Sequence, residues 1–169
     1  MPMQPKTKLV NVLLTNIPIA ICISCVASYI GLSGAGLPQE AFMPAFLRSV
    51  ALNIVLSYII SFFVGMFVPA PKWGMAFAGL FGVTPRDGVK FGLLMTLVVN
   101  LVYVVANSLI LTYVNAILLG GAPMAAYIPA VLGSFVPCYV VGFIVSFIWA
   151  PKAEEIARKM CNDPVPPMH

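Results

Sequence analysis

The sequence predicts an all-α integral membrane protein, with four transmembrane helices arranged as two parallel two-helix repeats and both termini in the cytoplasm. Three observations carry this prediction. Hydrophobic residues make up 61% of the chain and charged residues only 8%, with a mean hydropathy of +1.01. A soluble domain carries charge on about a quarter of its residues, so a surface built from this composition must face lipid. The basic residues gather at one end of four long apolar stretches, and one hairpin pattern recurs along the chain.

The first apolar stretch, Leu9–Leu32, follows Lys6 and Lys8. A secretory signal has a similar layout, but its apolar core runs to only about 7–15 residues. This run is longer and reads as a retained helix. The second stretch is Ala45–Val68, the third Val89–Leu118 and the fourth Ala126–Ala150. A span needs about 20 residues at a rise of about 1.5 Å each. The third exceeds that, which predicts tilt or an end standing clear of the bilayer.

Charge placement orients the spans. Lys72, Arg86 and Lys90 lie between the second and third, and Lys152, Arg158 and Lys159 follow the fourth; only Arg48 falls at the opposite end. Basic residues favour the cytoplasmic side, so both termini are expected there. The net charge of +4 then reflects orientation and contact with anionic headgroups, not nucleic-acid binding. Trp73 and Trp149 fall at cytoplasmic span ends, where aromatic belts form.

The hairpin pattern divides a single membrane domain, 1–169. "AFMPAFLRSV" at 41–50 aligns with "AYIPAVLGSF" at 126–135. Between the first and third spans, Asn16, Ser24, Ser28 and Tyr29 meet Asn100, Ser108, Thr112 and Tyr113. Pro38 and Pro44 match Pro123 and Pro129, and Pro71-Lys72 matches Pro151-Lys152 about one turn out of step. Repeat 1 therefore covers about 8–72 and repeat 2 about 89–152, separated by an interfacial loop, 73–88. A short cytoplasmic helix, "PKAEEIARKM", and a disordered tail complete the chain over 153–169. Pro44 and Pro129 read as helix starters. Pro18 and Pro137, inside spans, each free a carbonyl and predict kinks.

Each second helix carries small or polar residues at every fourth position. The packing set is Ala45, Ser49, Ser57, Ser61 and Gly65 in one, and Ala130, Ser134, Gly142 and Ser146 in the other, with Asn53 and Cys138 completing the rows. Such ridges let helix backbones approach closely in lipid, where contact and hydrogen bonding must drive packing.

The spans hold no Asp, Glu, Lys or His at their centres. That composition argues against a proton-coupled antiporter and against hydrolytic or metal chemistry within the bilayer. No catalytic residue, metal ligand or cofactor is assigned, and the chain is not expected to be an enzyme. The informative polar groups are Asn16, Asn53, Asn100, Tyr103 and Asn107, which either bond helices together or line a path for a small neutral or anionic solute. "CISC", Cys22 to Cys25, would suit a thiol-disulfide enzyme only near a membrane face with a second pair to exchange with. Arg48 reads as a snorkelling side chain, a partner for Glu40, or an anion-attracting mouth.

The segments "SYIISFFVGMFVPAPK" and "CYVVGFIVSFIWAPK", with "TNIPIAICISCVASYIGLSGAG" before the first, resemble the small bacterial membrane family designated DUF2798. The resemblance implies a two-helix unit, here doubled, and a bacterial inner-membrane location; it implies no activity. The functional expectation is a transporter or channel-like binder of a small solute, acting as a homo-oligomer or with a membrane partner. The alternatives are a structural or regulatory subunit pairing through the small-residue stripes, and a thiol-disulfide oxidoreductase.

Overall fold

The structure, a computed structural model, describes residues 3–33, 38–119 and 121–163, and among them the chain is helical with no strand. Helix α1 is Pro5–Ser33, α2 Gln39–Phe67, α3 Ala70–Leu80, α4 Val89–Thr112 and α5 Tyr127–Cys161. A π-helical segment, Tyr113–Leu119, prolongs α4. Helices α1, α2, α4 with its prolongation, and α5 are each long and apolar enough to cross a membrane. This is an integral membrane protein.

The four long helices close into a ring. Helix α1 packs most extensively on α5 and then on α2; α4 packs on α5 and α3, and meets α2 over a smaller area. One end of the bundle carries the N-terminus and the last turns of α5, here the termini end. The other carries the α1–α2 and α4–α5 connections, here the loop end.

The polarity pattern is the inverse of a water-soluble bundle. On α2, Asn53, Ser57 and Ser61 are buried while Val55, Ile59 and Phe63 face outward. On α5, Cys138, Gly142 and Ser146 are buried while Val136, Val140, Ile144 and Ile148 face outward. Residues two apart lie about 200° apart on a helix, so each small ridge has a large apolar ridge on the opposite face. Only the middle three of each row are buried; Ala45, Ser49, Gly65, Ser134 and Ala150 are half-buried and Ala130 is exposed. The cause is geometric. A step of four residues turns about 400°, so the row drifts about 40° per step and leaves the contact face at both ends.

The closest approaches occur at glycines. A Cβ built on Gly142 would lie 2.7 Å from Asn100 Oδ1, and one on Gly65 would lie 2.6 Å from the Tyr103 hydroxyl. Tyrosines add bonds between helices: Tyr58 Oη donates to the Leu13 carbonyl at 3.2 Å, and Tyr139 Oη to the Leu97 carbonyl at 3.0 Å. Each such bond contributes about 0.6–2 kcal/mol in a membrane.

Prolines explain further contacts. Pro18 supplies no N–H to the Leu14 carbonyl, and the Trp149 indole N–H donates to that oxygen at 3.0 Å. Trp149 thus anchors α5 to α1, beyond the interfacial position expected of it.

Several expected boundaries move. Helix α2 begins at Gln39, so Pro44 lies inside it and is not its starter; Pro38 holds the N-cap. Pro129 does fall in the first turn of α5. The expected loop 73–88 instead holds most of α3, Ala70–Leu80, and a 3₁₀ turn, Pro85–Asp87, in which Thr84 and Asp87 form a capping box. The buried face of α3, Ala70, Gly74 and Ala78, explains the helix: small residues at every fourth position fit it against α4. Gly74 sits so close to the Met95 carbonyl that a Cβ would lie 2.9 Å away.

The segment "PKAEEIARKM" is not a separate helix. Helix α5 runs through Pro151 to Cys161, with Arg158–Glu154 and Lys159–Glu155 ion pairs one turn apart. It ends at Asn162 in the left-handed conformation, φ 50°, from which Asp163 N–H donates to the Arg158 carbonyl at 3.0 Å. The first residues of the expected disordered tail are therefore ordered: Asp163 accepts the Gln4 backbone N–H at 3.1 Å and fastens the two ends of the chain. Residues 164–169 lie outside the described residues.

Candidate functional site

At the loop end the ring of helices parts around a cavity of about 620 Å³. All four long helices line it. Ser28 of α1 and Ser49 and Asn53 of α2 form one wall; Ser108 and Thr112 of α4, with Asn115 of the π-helical segment, form the other. Ser134 of α5 adds a hydroxyl, and Ile23, Leu111 and Cys138 lie among the apolar lining. No charged side chain lines it among the described residues.

The two walls differ in their hydrogen bonding. On the first, Ser49 Oγ donates to Ser28 Oγ at 3.1 Å and Asn53 Nδ2 to the same oxygen at 2.9 Å. On the second, Asn115 Nδ2 reaches Asn53 Oδ1 and the Leu111 carbonyl, both at 2.7 Å. Among the described residues that leaves the Asn115 amide oxygen and the Ser108 and Thr112 hydroxyls without a partner and able to meet a ligand. The π-helical winding assists, since a widened turn often marks a functional position, and here Asn115, within that segment, holds the Leu111 carbonyl at the end of α4.

Such a cavity suits a small uncharged molecule with several hydrogen-bonding groups. Hydroxyls both donate and accept, and the free amide oxygen accepts. A bare anion would find no cation to offset its desolvation. Arg48 stays exposed near the loop end, and no ion pair joins it to Glu40 among the described residues.

The residues singled out from sequence separate into distinct settings. Asn53 lines the cavity. Asn107 lies below it, donating to Ser61 Oγ at 3.0 Å and to the Tyr103 carbonyl at 2.9 Å. Asn16 is 1% exposed, and neither polar atom of its amide has a partner among the described residues. The Tyr103 hydroxyl lies against Gly65, as does Val12. Asn100 faces the other way and bonds α4 to α5 through the Tyr139 carbonyl at 2.9 Å.

Sequence reasoning passed over Asn115, although it falls inside the third apolar stretch. The available signal was its spacing: Asn107, Leu111 and Asn115 follow one another at four-residue steps. The serines and Thr112 were visible but uninformative, because a hydroxyl in a helix can satisfy itself on its own backbone.

Cys22 and Cys25 are half-buried free thiols in the middle of α1. Cys138 packs with Ile19, Ile23 and Val104, while Cys161 ends α5. These positions lie at different depths and bring no second pair to the first among the described residues.

Comparison with family models, curated proteins and solved structures gave no match to this chain.

Proposed function

We propose that the protein binds a small, uncharged, hydrogen-bonding solute in the cavity at the loop end, as a step in moving it across a bacterial inner membrane. The single observation that carries this reading is the cavity itself: about 620 Å³, bordered by all four spans, with hydroxyls and amides set among a mostly apolar lining and no charge among the described residues. Eight of the nine basic residues lie at the termini end, which supports a cytoplasmic position for that end and opens the cavity to the outer face. The inner-membrane location rests on the DUF2798 resemblance.

Two observations support the proposal that the bundle is a duplicated hairpin. The acceptors of the tyrosine bonds, Leu13 and Leu97, are 84 residues apart, the spacing that relates Asn16 to Asn100, while the donors Tyr58 and Tyr139 sit about one turn off the spacing that aligns 41–50 with 126–135. The segment after α2 packs on α4, and the end of α5 reaches the start of α1. Both relations fit a pseudo-two-fold axis along the membrane normal, passing through the cavity.

The test is a thermal-shift screen of purified protein against small uncharged and small charged solutes. Uncharged polyols or amides should raise the melting temperature of the wild type and not of Asn115→Leu. Stabilisation by none of them, or equal stabilisation of both proteins, would remove the cavity as a binding site. The subunit alternative finds its support in Asn100, whose dry bond to Tyr139 is interhelical glue; it predicts that a partner helix, not a solute, fills the cavity.

A further inference from the structure

Beneath the cavity, towards the termini end, the space between α1, α2 and α4 holds unmatched polar groups. Besides Asn100 Oδ1 on the α5 side of α4, the atoms Ser24 Oγ, Ser57 Oγ, Asn107 Oδ1 and both amide atoms of Asn16 are buried with no hydrogen-bond partner among the described residues. All four residues are 1% exposed or less.

Their order along the helices is regular. Ser24 is one turn below Ser28 and Ser57 one turn below Asn53, both cavity residues. Asn107 adjoins Ser108 and is joined to Ser61. Asn16 is two turns below Ser24, and Gly65, which both the Tyr103 hydroxyl and Val12 abut, lies about one turn further along.

Self-satisfaction is the ordinary fate of a serine in a membrane helix. Ser33 and Ser134 follow it, donating to the carbonyls of Tyr29 and Ala130. Ser24 and Ser57 do not. Asn107 and Asn115 bond carbonyls one turn back, and Asn16 does not. Buried polar groups without partners are costly and rare, so four on three facing helices, in sequence below a polar cavity, call for a function.

We propose that these groups form a hydrogen-bonding track that carries small uncharged molecules of polyol or amide type from the cavity towards the termini end. The inference rests on the solute-binding reading of the cavity. Each unmatched hydroxyl or amide replaces one hydrogen bond that the solute would otherwise leave behind in water. Ions gain nothing comparable, since no charged side chain stands among these groups to offset their desolvation.

The experiment uses the full chain in proteoliposomes, with glycerol and urea as probes and potassium as the control. Permeation is read by stopped-flow light scattering, and cavity binding by shifts of the Asn53 and Asn115 side-chain amide resonances in detergent. The wild type should pass glycerol or urea well above empty liposomes and should not pass potassium. Asn16→Leu should lower that flux about tenfold, equivalent to about 1.4 kcal/mol of added barrier, while the amide shifts persist. Ser57→Ala removes a hydroxyl and adds no bulk; it should lower flux several-fold and raise the melting temperature, which keeps the test decisive if Asn16→Leu fails to fold. Amide shifts without wild-type flux would overturn the track and spare the cavity. Neither shifts nor flux would overturn both. Unchanged flux in folded Asn16→Leu or Ser57→Ala, or potassium passage matching glycerol, would overturn the track.

Discussion

At the end of α2 the chain breaks at Val68 and Pro69 before α3 begins, whereas at the end of α5 it runs through Pro151 as one helix to Cys161. Both places carry Ala-Pro-Lys, at 70–72 and 150–152. The difference is one additional proline. Pro69 donates no N–H and drives the residue before it out of the helical region; Val68 accordingly sits at φ −89°, ψ 127°. A single proline at 151 removes one bond and the helix continues. The break frees α3 to turn its small face onto α4. The unbroken α5 instead reaches the start of α1, burying Ala153 and Ala157 and placing Asp163 on Gln4. One residue thus decides whether similar segments shield a neighbouring helix or fasten the chain's ends together.

Four measurements would break or sharpen this comparison between the hairpins. The largest effect is expected at the closest contact. Gly142→Leu should destabilise by at least about 3 kcal/mol through overpacking. Gly133→Ala, on the same helix with nothing within 4 Å of its added carbon, should be neutral or stabilise by up to about 1 kcal/mol. Similar recoveries of folded protein for both on detergent gel filtration would mean that the small ridge is not a contact surface.

Trp149→Phe comes next. Losing the indole leaves the Leu14 carbonyl unmatched and should destabilise by about 1–2 kcal/mol. Adding Pro18→Ala restores a backbone donor one turn later and should recover most of the loss. A double-mutant cycle checks this, and strict additivity would sever the link.

Tyr58→Phe and Tyr139→Phe should each cost about 1 kcal/mol, and nearly the same amount, because each removes one hydroxyl–carbonyl bond between paired helices. Losses in reversible unfolding that differ by more than about the bond's own worth would show that the hairpins are held differently.

The smallest effect concerns the clasp present only after α5. The Gln4 backbone N–H and, after it, the nearby Thr7 hydroxyl, with the Arg158 charge adding to them, hold the Asp163 carboxyl below its ordinary value. A depressed folded-state pKa means that the contact stabilises above the ordinary carboxylate range, about 3.9. That stability is lost as pH falls through the depressed value. Hydrogen exchange at Gln4, corrected for intrinsic rates, should therefore stay protected until pH drops below that range. Asp163→Asn should abolish the pH dependence; protection unaltered by the substitution would place the clasp elsewhere.

The spans were legible because length and apolarity alone define them. The inward face of α2 and α5 was legible because small residues in lipid have one good use. Helix α3 was not, since an 11-residue apolar segment cannot span and its small face is visible only once α4 is known as its partner. The continuity of α5 was hidden because Pro151 can equally begin a helix or sit inside one. Asn16, Asn53 and Asn107 could be recognised as exceptional, but not which would find a partner: pairing depends on the rotation of three helices, which no single segment encodes. The cavity was invisible for the same reason, being a space between elements.

The drift of each small-residue row has a consequence for the shape of the molecule. A line of knuckles that winds around a rod can mesh with its neighbour for only a few turns before the rods must diverge. The bundle accordingly opens at the loop end, where the rows have turned away and the cavity lies, and this funnel needs no dedicated insertion to create it. Adding a turn to the loop-end starts of α2 and α5 would deepen the funnel and leave the buried part of each row unchanged.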